Sequence, residues 1–221
     1  MRVRLLNISL LLVWCTLLLS CKHSQHSETL QEGDLLFQNL NCGELCDAIE
    51  AVTDGVNKKD FSHCAMVISI NDTLKVVEAF GEKVQVNSLY TFFSRSGDTG
   101  SIQNITIARV NHPYKYLLEK ASNYAKQQIG KPYDNEFLIG NDKWYCSELL
   151  YQSFKEANNQ NSFFELEPMT FKDPKTNTFF PAWMEYYKKL DTEIPEGELG
   201  INPGLISRSN KIQIIKLNSY R

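Results

Sequence analysis

The sequence predicts an α+β domain in which an antiparallel β-meander packs against helices. Three strand-like segments, residues 62–70, 74–80 and 84–89, follow one another with only short turns between them. Residues 113–129 and 146–157 instead repeat apolar side chains at three-to-four spacing, which is typical of amphipathic helices. Short strands joined by tight turns make a meander, and the helices supply apolar faces to cover it.

The first part of the domain consists of short elements. Residues 33–37 are predicted to form an opening strand, and residues 44–52 a helix. The meander turns at Asn71-Asp72 and at Gly81-Glu82-Lys83, because these residue types favour turn conformations. Alternating apolar residues over positions 102–110 predict a further strand.

Longer helices and a final strand complete the domain. Pro113 suits the first turn of a helix that runs to Ile129 and stops at Gly130. We expect another helix over residues 181–190 and a terminal strand over residues 211–217. The predicted inner face of the helix that begins at Pro113 consists of Leu117, Leu118, Ala121, Ala125, Gln128 and Ile129.

The last sixty residues are rich in aromatic side chains, which we expect to form a lid or wall. This predicted aromatic segment contains Phe163, Phe164, Phe171, Phe179, Phe180, Trp183, Tyr186 and Tyr187.

Residues 1–20 are predicted to be a signal peptide, because two arginines precede an apolar run that is too short to span a bilayer. Residues 18–21 (Leu-Leu-Ser-Cys) resemble the lipobox of bacterial lipoproteins, in which the cysteine, here Cys21, is lipidated and becomes the first residue. An ordinary secretory signal is the alternative. We therefore expect a lipid anchor at Cys21, a polar tether over residues 21–30 and a single domain over residues 31–221. The chain would then be a membrane-anchored lipoprotein of the bacterial cell envelope, at the outer membrane in a Gram-negative organism.

Charge and composition exclude several classes of function. Loss of the two leader arginines changes the formal net charge from −3 to −5, and the chain has no basic run, so nucleic acid is not an expected partner. His23 and His26 could bind a metal, but a solvated tether explains them better. The cysteines lack the paired spacing of a zinc site. We expect neither a metal nor a cofactor.

Cys42 and Cys46 lie one helical turn apart. We interpret them as two small buried or half-buried residues. A local disulfide is the alternative, since exported proteins can keep disulfides.

Cys146 is the candidate nucleophile. It stands where an irregular, partly polar stretch turns into an amphipathic helix, and the apolar positions that follow place it on the inward face, in the first turn. The N-terminus of a helix stabilises a thiolate. Packing is the competing explanation, because cysteine is among the most buried residue types. The catalytic interpretation therefore needs a base.

His63 and Glu78 are the candidate partners of Cys146. His63 begins an apolar strand, and Glu78 lies inside the next one, where a buried carboxylate is costly unless it is paired. If residues 71–72 close a two-residue loop, position i faces position 143 − i, and the two side chains are diagonal neighbours on one face. A loop longer by one residue would place them on opposite faces. Cys64 points to the other face and is expected to be core.

These positions have a consistent chemical interpretation. Glu78 would orient the imidazole, while His63 would accept the proton of Cys146 and later protonate the leaving group.

Five short motifs also occur in the order of a known family. Gly33–Phe37, Ser62-His63, Val77–Ala79, Gly130–Asp134 and Tyr145–Leu149 resemble the landmarks of the circularly permuted NlpC/P60-type, papain-like amidases of the YiiX/YaeF kind. The resemblance covers residues 31–206, and the histidine precedes the cysteine, which is the permuted order. It implies a permuted papain-like fold with a β-meander or partial barrel.

The resemblance also implies site residues. It implies a catalytic set of Cys146, His63 and Glu78, in agreement with the interpretation from the residues themselves. It suggests that Tyr133 holds the oxyanion together with the Cys146 backbone N–H, although packing is an equal alternative for Tyr133. Asp34 would support the site or the substrate from the first strand.

The leading functional hypothesis is a lipid-anchored cysteine amidase or peptidase that forms a thioester on Cys146. Its substrate would be a peptidoglycan peptide or a small acyl-amino acid or peptide, and its other partner the membrane. One alternative is a thiol acyltransferase of the same fold, whose acyl group passes to an acceptor other than water. The other is a non-catalytic binding lipoprotein.

Overall fold

A computed structural model of the protein describes residues 28–96 and 105–217. The strands are β1 (Leu35–Gln38), β2 (His63–Ile70), β3 (Thr73–Phe80), β4 (Lys83–Ser88), β5 (Ile105–Val110), β6 (Glu167–Pro168), β7 (Leu199–Gly200) and β8 (Ile212–Ile215). Six of them form one sheet in the order β4-β3-β2-β1-β5-β8, with antiparallel pairing throughout, and β6 pairs with β7. Within the described residues, β4 and β8 are the two edges, so the sheet is open and does not close into a barrel.

The hairpin between β2 and β3 has the expected register. Asn71 and Asp72 both adopt positive φ angles, 48° and 58°, which is the backbone of a two-residue hairpin loop. Met66 faces Val77, so position i pairs with position 143 − i as predicted. Glu78 follows Val77 in β3, so this register places it near the beginning of β2, where His63 lies.

The described residues contain six α-helices, and α4 is the one most closely packed on the sheet. The helices are α1 (Glu44–Glu50), α2 (Leu89–Phe93), α3 (Leu118–Gln127), α4 (Cys146–Ala157), α5 (Pro181–Leu190) and α6 (Pro203–Ser207). α4 packs against β2, β3 and α3. Its inward positions Leu149, Leu150 and Phe154 are fully buried, as predicted. Burying a side chain of this size stabilises the fold by about 2 kcal/mol, so α4 and its first residue are held firmly against the sheet.

The helix expected from Pro113 differs from the prediction at both ends. Residues His112–Leu117 form a 3₁₀ helix, and the α-helix begins only at Leu118. Leu117, Ala121 and Ala125 are buried, as the predicted inner face requires. Ile129 is instead 45% exposed. The helix has already ended at Gln127, and Gly130 turns the chain away with a φ of +92°.

Cys42 and Cys46 form a disulfide, with their Cα atoms 5.4 Å apart. Our interpretation of them as two unpaired residues was therefore wrong. Cys42 precedes the first turn of α1, and Gly43 between the pair adopts a φ of +80°, which L residues rarely adopt. This local bend brings Cys42 back over the helix.

Three predictions fall on residues that lie outside the described part of the chain. These are the signal peptide over residues 1–20, the lipidated Cys21 with most of its tether, and residues 102–104 of the predicted strand that contains β5. Among the described helices, none is long and apolar enough to cross a membrane.

The aromatic segment does not form one continuous lid. Phe163 and Phe164 pack against Phe154 of α4 in the main core. Phe171 and Trp183 instead belong to a separate cluster that α5 forms with α1. Only the second group lies beside the candidate site.

Candidate active site

Cys146 is the first residue of α4 and is almost completely buried. Tyr145, the preceding residue, provides no side-chain hydrogen bond to cap the helix, so the first-turn N–H groups can serve an anion. Two hydrogen bonds fix this end of the helix to the segment after β7. Ile201 N–H donates to the Tyr145 hydroxyl at 3.2 Å, and the Ser147 hydroxyl donates to the Ile201 carbonyl at 2.8 Å.

His63 and Glu78 form the pair that the hairpin register predicted. His63 Nε2 lies 2.6 Å from Glu78 Oε2, and both side chains are buried. The imidazole lies against the rings of Phe80 and Phe92, with centroid distances of 5.3 and 5.9 Å. The Cys146 side chain lies beside His63 and is the largest of the influences that raise the pKa of the imidazole. Because Nε2 is bonded to Glu78, Nδ1 is the ring nitrogen that is available to the Cys146 thiol.

Glu78 has two further partners that the sequence reasoning missed. Arg95 Nη2 donates to both carboxylate oxygens, at 2.5 and 2.7 Å, and Asn87 Nδ2 donates to Oε1 at 2.8 Å. His63 and Arg95 outweigh the effect of burial and keep the pKa of Glu78 below its ordinary value. Strand alternation on β4 could have indicated Asn87, which is a diagonal neighbour of Glu78. No local pattern indicated Arg95, which follows α2.

Cys146 and His63 together hold one proton, and it lies on the histidine. A hydrogen bond from the Cys64 side chain and the charge of His63 outweigh burial and lower the pKa of Cys146 well below its ordinary value. Burial alone would lower the pKa of His63, but its bonds to Cys146 and Glu78 raise that pKa to about 9. At neutral pH the site therefore contains a thiolate beside an imidazolium, the reactive form of a cysteine nucleophile.

Cys64 has a closer relation to the site than expected. It is fully buried in the core, as predicted, but its thiol lies beside Cys146 and is the largest influence on the pKa of that residue. Burial and the neighbouring thiolate raise the pKa of Cys64 well above the ordinary range, so it keeps its proton and acts as the donor. Both His63 and Cys64 open β2, and α4 packs against this strand.

The structure brings Tyr133 to the site but not Asp34. Burial, and next the charge of Cys146, raise the pKa of Tyr133 well above the ordinary range, so its hydroxyl remains a donor. Asp34 forms a two-point ion pair with Arg109, with Nε–Oδ1 and Nη2–Oδ2 distances of 2.7 and 2.8 Å. This buried pair fastens β1 to β5.

A cavity of about 550 Å³ opens over Cys146, within the size range of small-molecule sites. Its walls are mostly apolar, and two members of the aromatic segment, Phe171 and Trp183, contribute to them. Asp34, His63 and Glu78 are not among the described residues that line it, so the cavity meets the pair of His63 and Glu78 through Cys146. Other residues that line the cavity include Tyr133, Phe137, Tyr145, Met169, Ile201 and Leu205.

The described residues can be compared with the ligand sets that hold metal ions. In residues 28–96 and 105–217, no group of three or more His, Cys, Asp or Glu side chains is arranged to hold a metal ion. The expectation of no metal and no cofactor stays a prediction.

Three comparisons relate this chain to known proteins. The profile of the family described as "Permuted papain-like amidase enzyme, YaeF/YiiX, C92 family" matches residues 29–216. The uncharacterised protein YiiX of Escherichia coli strain K12 is 30% identical over 128 residues, a match that spans 58% of this chain and 58% of that relative. A crystal structure described as the metalloprotein YiiX from Escherichia coli O157:H7 superposes with a TM-score of 0.68 at 24% identity, covering 85% of this chain and 97% of that one. The likeness to the crystal structure shows a shared fold.

Proposed function

The chain belongs to the YaeF/YiiX family of permuted papain-like amidases, and we propose from this premise that it cleaves an amide bond through a thioester on Cys146. One observation carries the proposal. Cys146, at a helix N-terminus and at the wall of a cavity, lies beside a histidine that a buried carboxylate holds in place.

Acylation begins with attack of the Cys146 thiolate on the carbonyl carbon of the amide. The new C–S bond pushes an electron pair onto the carbonyl oxygen, and the Tyr133 hydroxyl and the Cys146 backbone N–H are the donors available to that oxyanion. When the C–N bond breaks, protonated His63 gives its Nδ1 proton to the leaving amine. The products of this half-reaction are a free amine and a thioester on Cys146.

Deacylation restores the ion pair. His63, now neutral, accepts a proton from a water molecule as its oxygen attacks the thioester carbon. The C–S bond breaks, the acid leaves, and Cys146 returns as a thiolate beside the His63 imidazolium. Glu78 keeps the imidazole in the same orientation during both steps.

The substrate we propose is a peptide, such as a peptidoglycan peptide, or a small acyl-amino acid. The volume of the cavity supports a substrate of this size. Its mostly apolar walls favour an apolar group next to the scissile bond.

The proposal is tested with an amide-like electrophilic probe that forms a stable adduct with a reactive thiolate. The native protein should be labelled at Cys146, Cys146→Ala should not be labelled, and His63→Gln should be labelled far more slowly. His112→Gln is a matched control, because His112 starts a 3₁₀ helix, whereas His63 is the histidine that contacts Glu78 and Cys146. Unchanged labelling of folded Cys146→Ala would refute the assignment.

Acyl transfer is the second candidate, favoured by the apolar walls of the cavity. An acyl-enzyme in such surroundings meets little water and can pass its acyl group to another acceptor. Mass spectrometry separates the two reactions. A long fatty acyl adduct on Cys146 that is lost only when an acceptor is added supports transfer, whereas release of a free acid supports hydrolysis.

We also propose that a lipid on Cys21 anchors the protein in the cell envelope. The lipobox-like residues 18–21 support this proposal. The described chain begins at Glu28, which forms an ion pair with Arg109 of β5, so the tether would join the domain at this strand. Replacing Cys21 with Ser should move the protein from the membrane fraction to the soluble fraction, and unchanged fractionation would contradict the anchor.

A further inference from the structure

We infer that Arg95 is a positioning residue of this site. By sharing the Glu78 carboxylate with His63, it keeps the imidazolium acidic enough to release its proton to the leaving amine. The inference rests on the proposed function, in which His63 is the proton donor.

The contacts of Arg95 are specific. Its Nη2 lies 2.5 Å from Glu78 Oε1 and 2.7 Å from Oε2. The guanidinium covers the ring of Phe80 at 4.0 Å and approaches that of Phe92 at 5.3 Å. The same two rings flank the His63 imidazole. Arg95 and His63 therefore occupy one aromatic enclosure, with Glu78 between them.

Arg95 does not serve the substrate directly. Its guanidinium contacts Glu78, Phe80 and Phe92, whereas His63 is the group beside Cys146. Its effect on the chemistry must pass through Glu78 and His63, which distinguishes a positioning residue from a catalytic one.

The electrostatic surroundings of His63 come from several elements. In the described part of the chain, the charged and titratable groups that face the pair of His63 and its carboxylate are Cys146 of α4, Cys64 of β2, Glu78 of β3 and Arg95, with Tyr133 beyond Cys146. Among these groups, Arg95 is the fixed positive charge.

Two cations on one carboxylate compete for it. His63 Nε2 and Arg95 Nη2 both bond to Glu78 Oε2, at 2.6 and 2.7 Å, so the two nitrogens lie within about 5 Å of each other. The guanidinium repels the imidazolium and draws carboxylate charge away from it. Without Arg95, the Glu78 carboxylate would have His63 as its one cationic partner, and the pKa of the histidine would rise. A weaker acid protonates the leaving group more slowly.

NMR titration of the His63 imidazole tests this inference without any substrate. The chain contains only four histidines, so His63→Gln identifies the signal. We expect Arg95→Met and Arg95→Gln to raise the pKa of His63 by about one unit or more. Arg95→Lys keeps the charge and should leave that pKa near its native value. Asn87→Leu is the matched control, since it removes a neutral donor to the same carboxylate and should produce a clearly smaller rise.

Kinetics provide a second measurement. In Arg95→Gln, kcat should fall by about three- to tenfold while KM stays the same, because the proton donor is weaker and the cavity is intact. Gln fills most of the space of Arg and can still donate to Glu78, so this variant remains informative if Arg95→Met does not fold. A His63 pKa that is unchanged or lower in folded Arg95→Gln overturns the inference, and so does an equal rise in Arg95→Lys. If no amide is cleaved, the proposed function fails, while the titration still decides the role of Arg95.

Discussion

Replacing Cys146 with Ala should remove the main reason why His63 is protonated at neutral pH. The substitution deletes the thiolate and leaves the bond from His63 to Glu78 in place. Burial then acts on an imidazolium that has lost one of its two anionic partners. We expect the pKa of His63 to fall.

The size of this effect follows from the environment of His63. Its pKa is raised from 6.5 to about 9, which corresponds to about 3 kcal/mol in favour of the charged form. This net preference exists although burial lowers the pKa, and Cys146 is the largest of the contributions that raise it. Two unit charges about 4 Å apart interact by about 4 kcal/mol at an effective dielectric constant of about 20. Loss of the thiolate should therefore lower the pKa of His63 by about three units, to about 6.

The measurement is an NMR titration of His63 in the native protein, in Cys146→Ala and in Cys146→Ser. The serine variant keeps a polar group but does not ionise in this range, so it should behave like the alanine variant. A His63 pKa that stays within about half a unit of the native value in both folded variants would show that the imidazolium does not depend on Cys146. The thiolate–imidazolium description of the site would then be wrong.

Other groups give further predictions. Cys64→Ala should raise the pKa of Cys146, because the Cys64 thiol donates to the thiolate, and the pH profile for alkylation of Cys146 by iodoacetamide should move to higher pH by the same amount; an unchanged alkylation profile would contradict this role. Burial raises the pKa of Glu148 from 4.5 to about 8, so its contribution to stability is present below pH 4.5 and is lost as the pH rises through about 8. In urea unfolding, Glu148→Gln should therefore become more stable than the native protein, by up to a few kcal/mol, between pH 5 and pH 8; a constant difference would refute this. The Cys42–Cys46 bridge closes only a short loop, so its reduction should lower the free energy of unfolding by at most about 2 kcal/mol. A larger loss of stability in thermal unfolding would contradict this.

The features that the sequence predicted correctly have local causes. Asn71 and Asp72 close a two-residue turn whose geometry sets the register of the hairpin, and the register brings Glu78 to His63. The three-to-four repeat of apolar residues places Cys146 in the first turn of α4, and the structure confirms this position. Neighbours along the chain are enough to determine such features.

The features that the sequence did not predict depend on contacts between distant segments. Arg95 reaches Glu78 from the segment after α2, and no periodic pattern marks an arginine that will be buried against two aromatic rings. Strand alternation correctly placed Cys64 in the core, but its contact with Cys146 depends on how α4 packs against β2. Asp34 was expected at the site, yet its carboxylate binds Arg109, 75 residues away.

The sequence by itself thus determined the α+β class, the meander, the amphipathic helix with its first-turn cysteine, and the pairing of His63 with Glu78. These follow from side-chain periodicity and turn geometry, which act over a few residues. The tertiary structure alone decided that Cys146 and His63 meet, that Arg95 shares the carboxylate, and that the aromatic segment divides between the core and the cavity wall. Such arrangements depend on how helices and strands pack, because a hydrogen bond or an ion pair needs both partners within a few ångströms.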